Sequence, residues 1–371
     1  MSTATAQEAT RRTLGQPVQG VTLYSFTRFF HSRGMSFTEL VREVARRGLG
    51  PTLEIVGFQA IKGFPEVSEE FEREFRSVID ETGLVPSSFG ANADAGLRRD
   101  RMLTSDELVE YMERQIAAAR RLGFPIVRVQ YGLTPDDMER LLPVAERHDV
   151  TLGMEIHAHH TPGHPTFQAL LERFSALGSP RLGFIPDWGA TMTGVPPTLL
   201  RAWRAKGMSE PLIAALEEFS ADLIARGAPR SDEEQGARME QAFALAHSFG
   251  EQRLAIEVGV DLAGLFGRGR VEEWAEVMPW VVHTHGKFYE IDADGEEPSV
   301  PIPEIMALYV EHGYDRTISS EWEGFHWNDW EDAFDVIAAQ QALLRRSAER
   351  AGSRLVTDPV VARERLDALN A

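Results

Sequence analysis

The 371-residue chain has no cysteine, so disulfides, thiolate metal sites and thiol nucleophiles are excluded at once. Positive charge is also scarce. Against 57 Asp and Glu stand 38 Lys and Arg, a formal net charge of −19. A nucleic-acid groove needs clustered Lys and Arg to displace counterions from phosphates, so no nucleic-acid partner is expected, and polyanionic substrates are disfavoured. No apolar run approaches the roughly 20 residues that cross a bilayer. Residues 1–20 are polar and lack the apolar centre of a signal peptide. The expectation is a cytoplasmic protein without membrane association, opening on a disordered tail over 1–20. No GxGxxG or P-loop sequence follows the first expected strand, which argues against a nucleotide-binding doubly wound sheet.

What is present is an alternation of short apolar runs with longer amphipathic ones. Strands are expected at 21–26, 52–56, 85–90, 126–131, within 151–160, and at 182–187, 281–285 and 317–321. Helices are expected between them. Ser36 with Glu39 and Thr104 with Glu107 read as capping boxes, and Gly83 and Gly178 as helix stops. Eight strand–helix units predict a (β/α)8 TIM barrel over 21–350, with a C-terminal tail over 351–371. More than ninety residues separate Asp187 from Val281, too many for a simple βα connection. They predict a helical insertion of about 190–270 after strand six, on the barrel face where active sites are built.

Strand five carries the sharpest signal. Thr151-Leu-Gly-Met-Glu-Ile-His-Ala-His-His160 starts as a buried strand and then places a carboxylate and imidazoles where another apolar pair would be unremarkable. Alternation along a strand puts Glu155 and His157 on one face. Three later strands end the same way, at Asp187, His285 and Glu321. A single such carboxylate is as readily an N-cap or an ion-pair partner. Four on consecutive strands of a closed barrel converge, and three carboxylates without a cation repel one another. Glu155, Asp187, His285 and Glu321 are therefore expected to hold a divalent ion. Mostly oxygen ligands suit Mn²⁺, with Mg²⁺ or Co²⁺ as alternatives, better than structural zinc. His283, on the same strand face as His285, reads as a supporting or substrate contact.

Glu155 in GMEIH, Asp187 in FIPDWG, His285 in HGK with Lys287, and Glu321 in SSEWEG resemble the metal-binding pattern of the xylose-isomerase-like barrels of sugar isomerases and epimerases. The resemblance covers about residues 20–350. The family's usual His-x-Lys-Asp is altered here, because Phe288 follows Lys287, and no role of that Asp is carried over to this chain. Within the superfamily, His285-Gly-Lys-Phe-Tyr-Glu290, Ser319-Ser-Glu-Trp-Glu-Gly324 and the long insertion look most like the catalytic α subunit of bacterial C-glycoside deglycosidases. That resemblance implies a small β-subunit partner, and an oligomeric assembly is expected.

A divalent ion on adjacent substrate oxygens acidifies the C–H beside a carbonyl and stabilises the enediolate. His157 is the first candidate base, with His159 and Glu323 as alternatives. Lys287 would polarise a substrate oxygen or pair with a ligand carboxylate. The resemblance implies a keto-sugar or 3-oxo-glycoside substrate, either epimerised or isomerised, or relieved of its aglycone by a lyase-type step. Of the aromatic residues near strand ends (Tyr24, Phe26, Phe89, Tyr131, Trp188, Phe288, Tyr289, Trp322), Trp188 and Trp322 are expected to form sugar platforms because each adjoins an expected ligand. Competing readings are a metal-free hydrolase using Glu155 and Glu321, a multi-zinc endonuclease, which the charge opposes, and a non-catalytic sugar-binding subunit.

Overall fold

The computed structural model describes residues 14–31, 34–130, 132–251 and 258–369. Eight parallel strands form the centre: β1 Val18–Thr22, β2 Thr52–Val56, β3 Val85–Ala91, β4 Ile126–Val129, β5 Thr151–Ile156, β6 Leu182–Pro186, β7 Thr284–Phe288 and β8 Thr317–Trp322. Every residue in them is buried, as the strands of a sheet covered on both faces must be. The continuous ladder runs β6-β5-β4-β3-β2-β1-β8-β7. Two isolated parallel bridges, Phe184 to Val281 and Asp187 to His285, close it into a barrel. This seam sets the expected ligands Asp187 and His285 side by side.

Around the strands lie α1 Thr27–His31, α2 Phe37–Arg46, α3 Gly57–Ala60, α4 Glu69–Thr82, α5 Ser105–Leu122, α6 Pro135–His148 and α7 Pro165–Leu177. The expected capping boxes form at α2 and α5, and α6 adds a third through Thr134 and Asp137; each cap is worth about 1 kcal/mol. The long connection between β6 and β7 holds α8 Pro197–Ala205, α9 Glu210–Arg226 and α10 Asp232–Ser248. After β7 come α11 Ile302–Glu311, α12 Ala333–Arg350 and α13 Pro359–Leu369.

Several boundaries differ from the sequence reading; strand one, expected to reach 26, ends at Thr22, where Leu23–Phe26 turn into a 3-10 helix, and β4 ends at Val129. Strand β1 starts at Val18, inside the expected tail, of which residues 1–13 lie outside the described residues. Its polar Gln19 is tolerated because Nε2 donates to the Gly50 carbonyl and Oε1 accepts from Arg345. Strand β7 starts at Thr284, because Val281 and Val282 serve as the bridge to β6 and the polar run to Phe288 carries the ladder to β8. The stretch after 350, read as a tail, forms α13, whose Leu366 packs with Val85, Ile126, Ile185 and Val282. Tyr131, the expected end of strand four, lies outside the described residues. Among the described residues, no helix is long and apolar enough to cross a membrane.

Candidate active site and metal centre

At the C-terminal ends of the strands lies a cavity of about 250 Å³. It is lined among others by Tyr24, Arg128, Glu155, His157, Lys287, Glu321, Glu323 and His326, with Leu265 reaching in from the insertion. A larger hollow of about 440 Å³ at the opposite end is lined mainly by turns preceding β6, β7 and β8. Chemistry concentrates at the first. Gly189 makes room for it: a Cβ there would stand 2.7 Å from Lys287 Cδ and 3.1 Å from Asp187 Oδ1.

The four expected ligands come together. His285 Nδ1 is 2.6 Å from Glu155 Oε1 and 3.4 Å from Glu321 Oε2. Asp187 joins Glu155 and His285 in a buried group whose ligand atoms all lie within 4.8 Å of one another. Five buried carboxylates, of Glu54, Glu155, Asp187, Glu321 and Glu323, face two permanent cations, Arg128 and Lys287. So many carboxylates in one buried place favour bound protons or a bound cation. Burial disfavours the imidazolium of His285, but Glu321, Glu54 and Glu155 outweigh it and raise its pKa well above the ordinary value. Burial, with Asp187 and Glu323 nearby, pushes Glu321 up to about 8 despite His285 and Lys287. A divalent ion would relieve the same repulsion, and the atoms it would take, Asp187 Oδ2, His285 Nδ1 and Glu321 Oε2, are buried among charged neighbours only, Lys287 Nζ standing 2.6 Å from Asp187 Oδ2. The donor set fits a hard or borderline divalent metal.

The groups that orient this cluster come partly from residues the sequence reading passed over. Glu54, in the middle of β2, accepts from His285 Nε2 at 3.0 Å and from His283 Nε2 at 2.7 Å. Bonding at Nε2 leaves Nδ1 of His285 as the ligating nitrogen, the carboxylate–histidine–metal arrangement that orients ligands in many sites. Glu54 is held well below the usual carboxylate range: burial opposes ionisation, and His285 and His283 overcome it. Arg128 on β4 pairs with Glu155 Oε2 at 3.2 Å. A charge inside an apolar strand was the available signal for both, in TLEIV and in IVRV.

Lys287 is the hub of the cavity floor. Its Nζ lies 2.6 Å from Asp187 Oδ2, 3.1 Å from Glu323 Oε2 and 3.7 Å from Glu321 Oε2. Burial opposes its charge, but Asp187 and Glu323 hold the ammonium well above the usual lysine range. It donates to His157 Nε2 at 3.0 Å. The other ring nitrogen, Nδ1, donates to the Ala158 carbonyl at 2.7 Å, so Nε2 carries the lone pair that accepts from Lys287.

Other expected contacts point elsewhere. Trp188 is fully buried, edge-on to Tyr309, and Trp322 is buried with Nε1 donating to the Tyr289 carbonyl at 2.8 Å. Both belong to the core, Trp322 because Glu321 takes the cavity face of β8 and Trp188 because it opens the 3-10 turn that follows β6. His283 is fully buried behind His285 and has no face on the cavity. His159 leaves the strand line, since β5 ends at Ile156, and lies with His160, His164 and Asp232 on the rim. Burial lowers the pKa of all three histidines, that of His160 to about 3. Of the aromatic residues expected near the mouth, Tyr24 lines the cavity, and the structure adds the exposed Phe58 at its edge.

A barrel with its charged cluster at the C-terminal strand ends is the architecture of one large enzyme class, and the comparisons agree. Residues 52–346 match the xylose isomerase-like TIM barrel family, to which the chain belongs. It is 48% identical over 355 residues, 96% of each chain, to the C-glycoside deglycosidase alpha subunit of Microbacterium trichothecenolyticum. To the 3'-dehydrocarminate deglycosidase alpha subunit of a Microbacterium species it is 51% identical over 333 residues, 90% of this chain and 96% of the relative. The solved structure of L-ribulose 3-epimerase superposes with a TM-score of 0.51 at 13% identity, covering 96% of this chain and 99% of that one, a likeness of fold. The protein is an enzyme of the lyase or isomerase/epimerase class.

Proposed function

We propose that the protein is the catalytic subunit of a C-glycoside deglycosidase, cleaving the sugar–aglycone C–C bond of a 3-oxo-glycoside. The observation that supports this most is the Lys287–His157 pair at the floor of the cavity, in a chain that matches named deglycosidase subunits over nearly its whole length. A divalent ion held by Glu155, Asp187, His285 and Glu321, most suitably Mn²⁺, would supply Lewis-acid polarisation of neighbouring substrate oxygens.

The chain's own groups do the rest. The C3 carbonyl of the substrate acidifies the C2 proton, and His157 Nε2 takes it once bound substrate displaces the Lys287 contact from its lone pair, with Nδ1–H anchored on the Ala158 carbonyl. The Lys287 ammonium, fixed between Asp187 and Glu323, donates toward the developing oxyanion. The C2–H electron pair becomes the C1=C2 bond as the C1–aglycone bond breaks, its pair leaving on the aglycone carbon. That carbon gains a proton. The products are an unsaturated 3-oxo sugar and the free aglycone, with no net oxidation. Tyr24 and Phe58 at the mouth suit an aromatic aglycone.

A small partner subunit also belongs to this reading. The exposed Phe58, Leu97 and Met102, on segments following β2 and β3, are apolar surface for it to cover. Co-purification of the native operon product would reveal such a partner. The activity is tested by offering metal-loaded protein a panel of 3-oxo-C-glycosides and free ketoses. Aglycone release is expected; epimerised ketose with no release from any glycoside would overturn the assignment.

A further inference from the structure

Outside the cavity, the segment after β5 and the start of α10 build a second cluster of ligating side chains. His159 Nε2, His160 Nε2 and His164 Nε2 all point at one atom, Asp232 Oδ1, at 3.4, 3.7 and 4.0 Å. A tetrahedral zinc site with bonds of about 2.0–2.1 Å has ligand atoms about 3.4 Å apart. The His159 and His160 spacings to Asp232 come near that value, and His164, at 4.0 Å, stands further out. The ligand atoms of His159, His160 and Asp232 lie within 4.8 Å of one another.

A second observation points to a ligand there. His164 is 97% buried, and its Nε2, aimed at the cluster, has no hydrogen-bond partner. Leaving a buried polar group unsatisfied costs roughly 1–3 kcal/mol. Its Nδ1 accepts from Thr166 N–H at only 3.4 Å, the N-cap contact of α7, so shifting the ring proton to Nδ1 gives up little. The scaffold is firm, since His160 packs on Phe167 and His164 opens α7. One side is accessible: the Asp232 side chain is 77% exposed.

We propose that His159, His160, Asp232 and His164 form a second metal site, distinct from the cavity cluster, that takes zinc or a similar borderline ion. Imidazole with one carboxylate selects Zn²⁺, Co²⁺ or Ni²⁺ over Mg²⁺ or Ca²⁺. Because Asp232 is the first residue of α10, the ion staples the insertion to the loop that carries His157. It connects insertion and barrel.

The test uses the full chain, stripped with a chelator and titrated with Zn²⁺, or with Co²⁺ read by its tetrahedral absorption band. Asp187→Asn protein serves as background, so that the cavity site does not contribute. The expected result is one tight equivalent per chain, lost in both Asp232→Asn and His160→Gln. A parallel readout is proteolysis of the insertion, slowed by Zn²⁺ in the background protein and unaffected by it in the two variants. Unchanged stoichiometry and affinity in either variant, or no tight equivalent in the background protein, would overturn the site.

Discussion

The two halves of the barrel divide the work. Strands β5 to β8 present Glu155, Asp187, His285, Lys287 and Glu321, whose ligating or charged atoms meet at the cavity floor. Strands β1 to β4 contribute Glu54 and Arg128, which hold members of that group in place. One half acts and the other orients. Removing a member of the first half should therefore abolish chemistry, whereas removing one of the second should loosen it.

The largest effect is expected from Asp187→Asn. It removes a charge from the cluster and frees Lys287, and aglycone release should fall at least about a thousandfold, as expected when several kcal/mol of charge stabilisation disappear. Lys287→Met should lower kcat by about a hundredfold to a thousandfold, the range for losing one donor to a developing oxyanion. If its aglycone release is unaltered, the ammonium is only a structural counter-charge. Glu54→Gln tests the orienting half: the ligands remain, and metal affinity should fall about tenfold to a hundredfold. A loss as complete as that in Asp187→Asn would erase the distinction between the halves.

A smaller effect concerns stability just beyond β7. Glu297 is buried and accepts from the backbone of Tyr289, Glu290 and Ser299. Burial nevertheless pushes its carboxyl from 4.5 up to about 7. A raised carboxyl binds its proton more tightly in the folded state, so its favourable contribution is full below about 4.5 and lost as pH rises through about 7. At 1.36 kcal/mol per pH unit of difference, the span is at most roughly 3 kcal/mol. Urea melts between pH 4.5 and 8 should show a shallower decline in Glu297→Gln than in the wild type, and parallel declines would exclude Glu297 as the source.

The same division governs how much could be read from sequence. Ligands at strand ends were legible because a carboxylate or imidazole there interrupts an apolar run at the point where a loop should begin, as at Glu155 and Asp187. The eight-strand alternation and the insertion were legible for the same reason, through hydrophobic period and length. Glu54 and Arg128 sit inside otherwise apolar strands, and their meaning depends on His285 and Glu155, which are distant in the chain. Their burial is tolerable only because those partners exist. Trp188 and Trp322 adjoin ligands in sequence, yet the 3-10 turn after β6 puts Trp188 in the core, as alternation along β8 does Trp322. His159 was misplaced because β5 ends at Ile156, and period two ceases to apply beyond it.

The most direct test is to strip the protein with a chelator, assay aglycone release from a 3-oxo-C-glycoside, and then restore Mn²⁺ in steps. Release should vanish in the stripped protein and return as the cavity site fills, while Asp187→Asn stays inactive at every concentration. Full turnover by protein shown by elemental analysis to hold no metal would contradict the convergence of Glu155, Asp187, His285 and Glu321 on a catalytic ion.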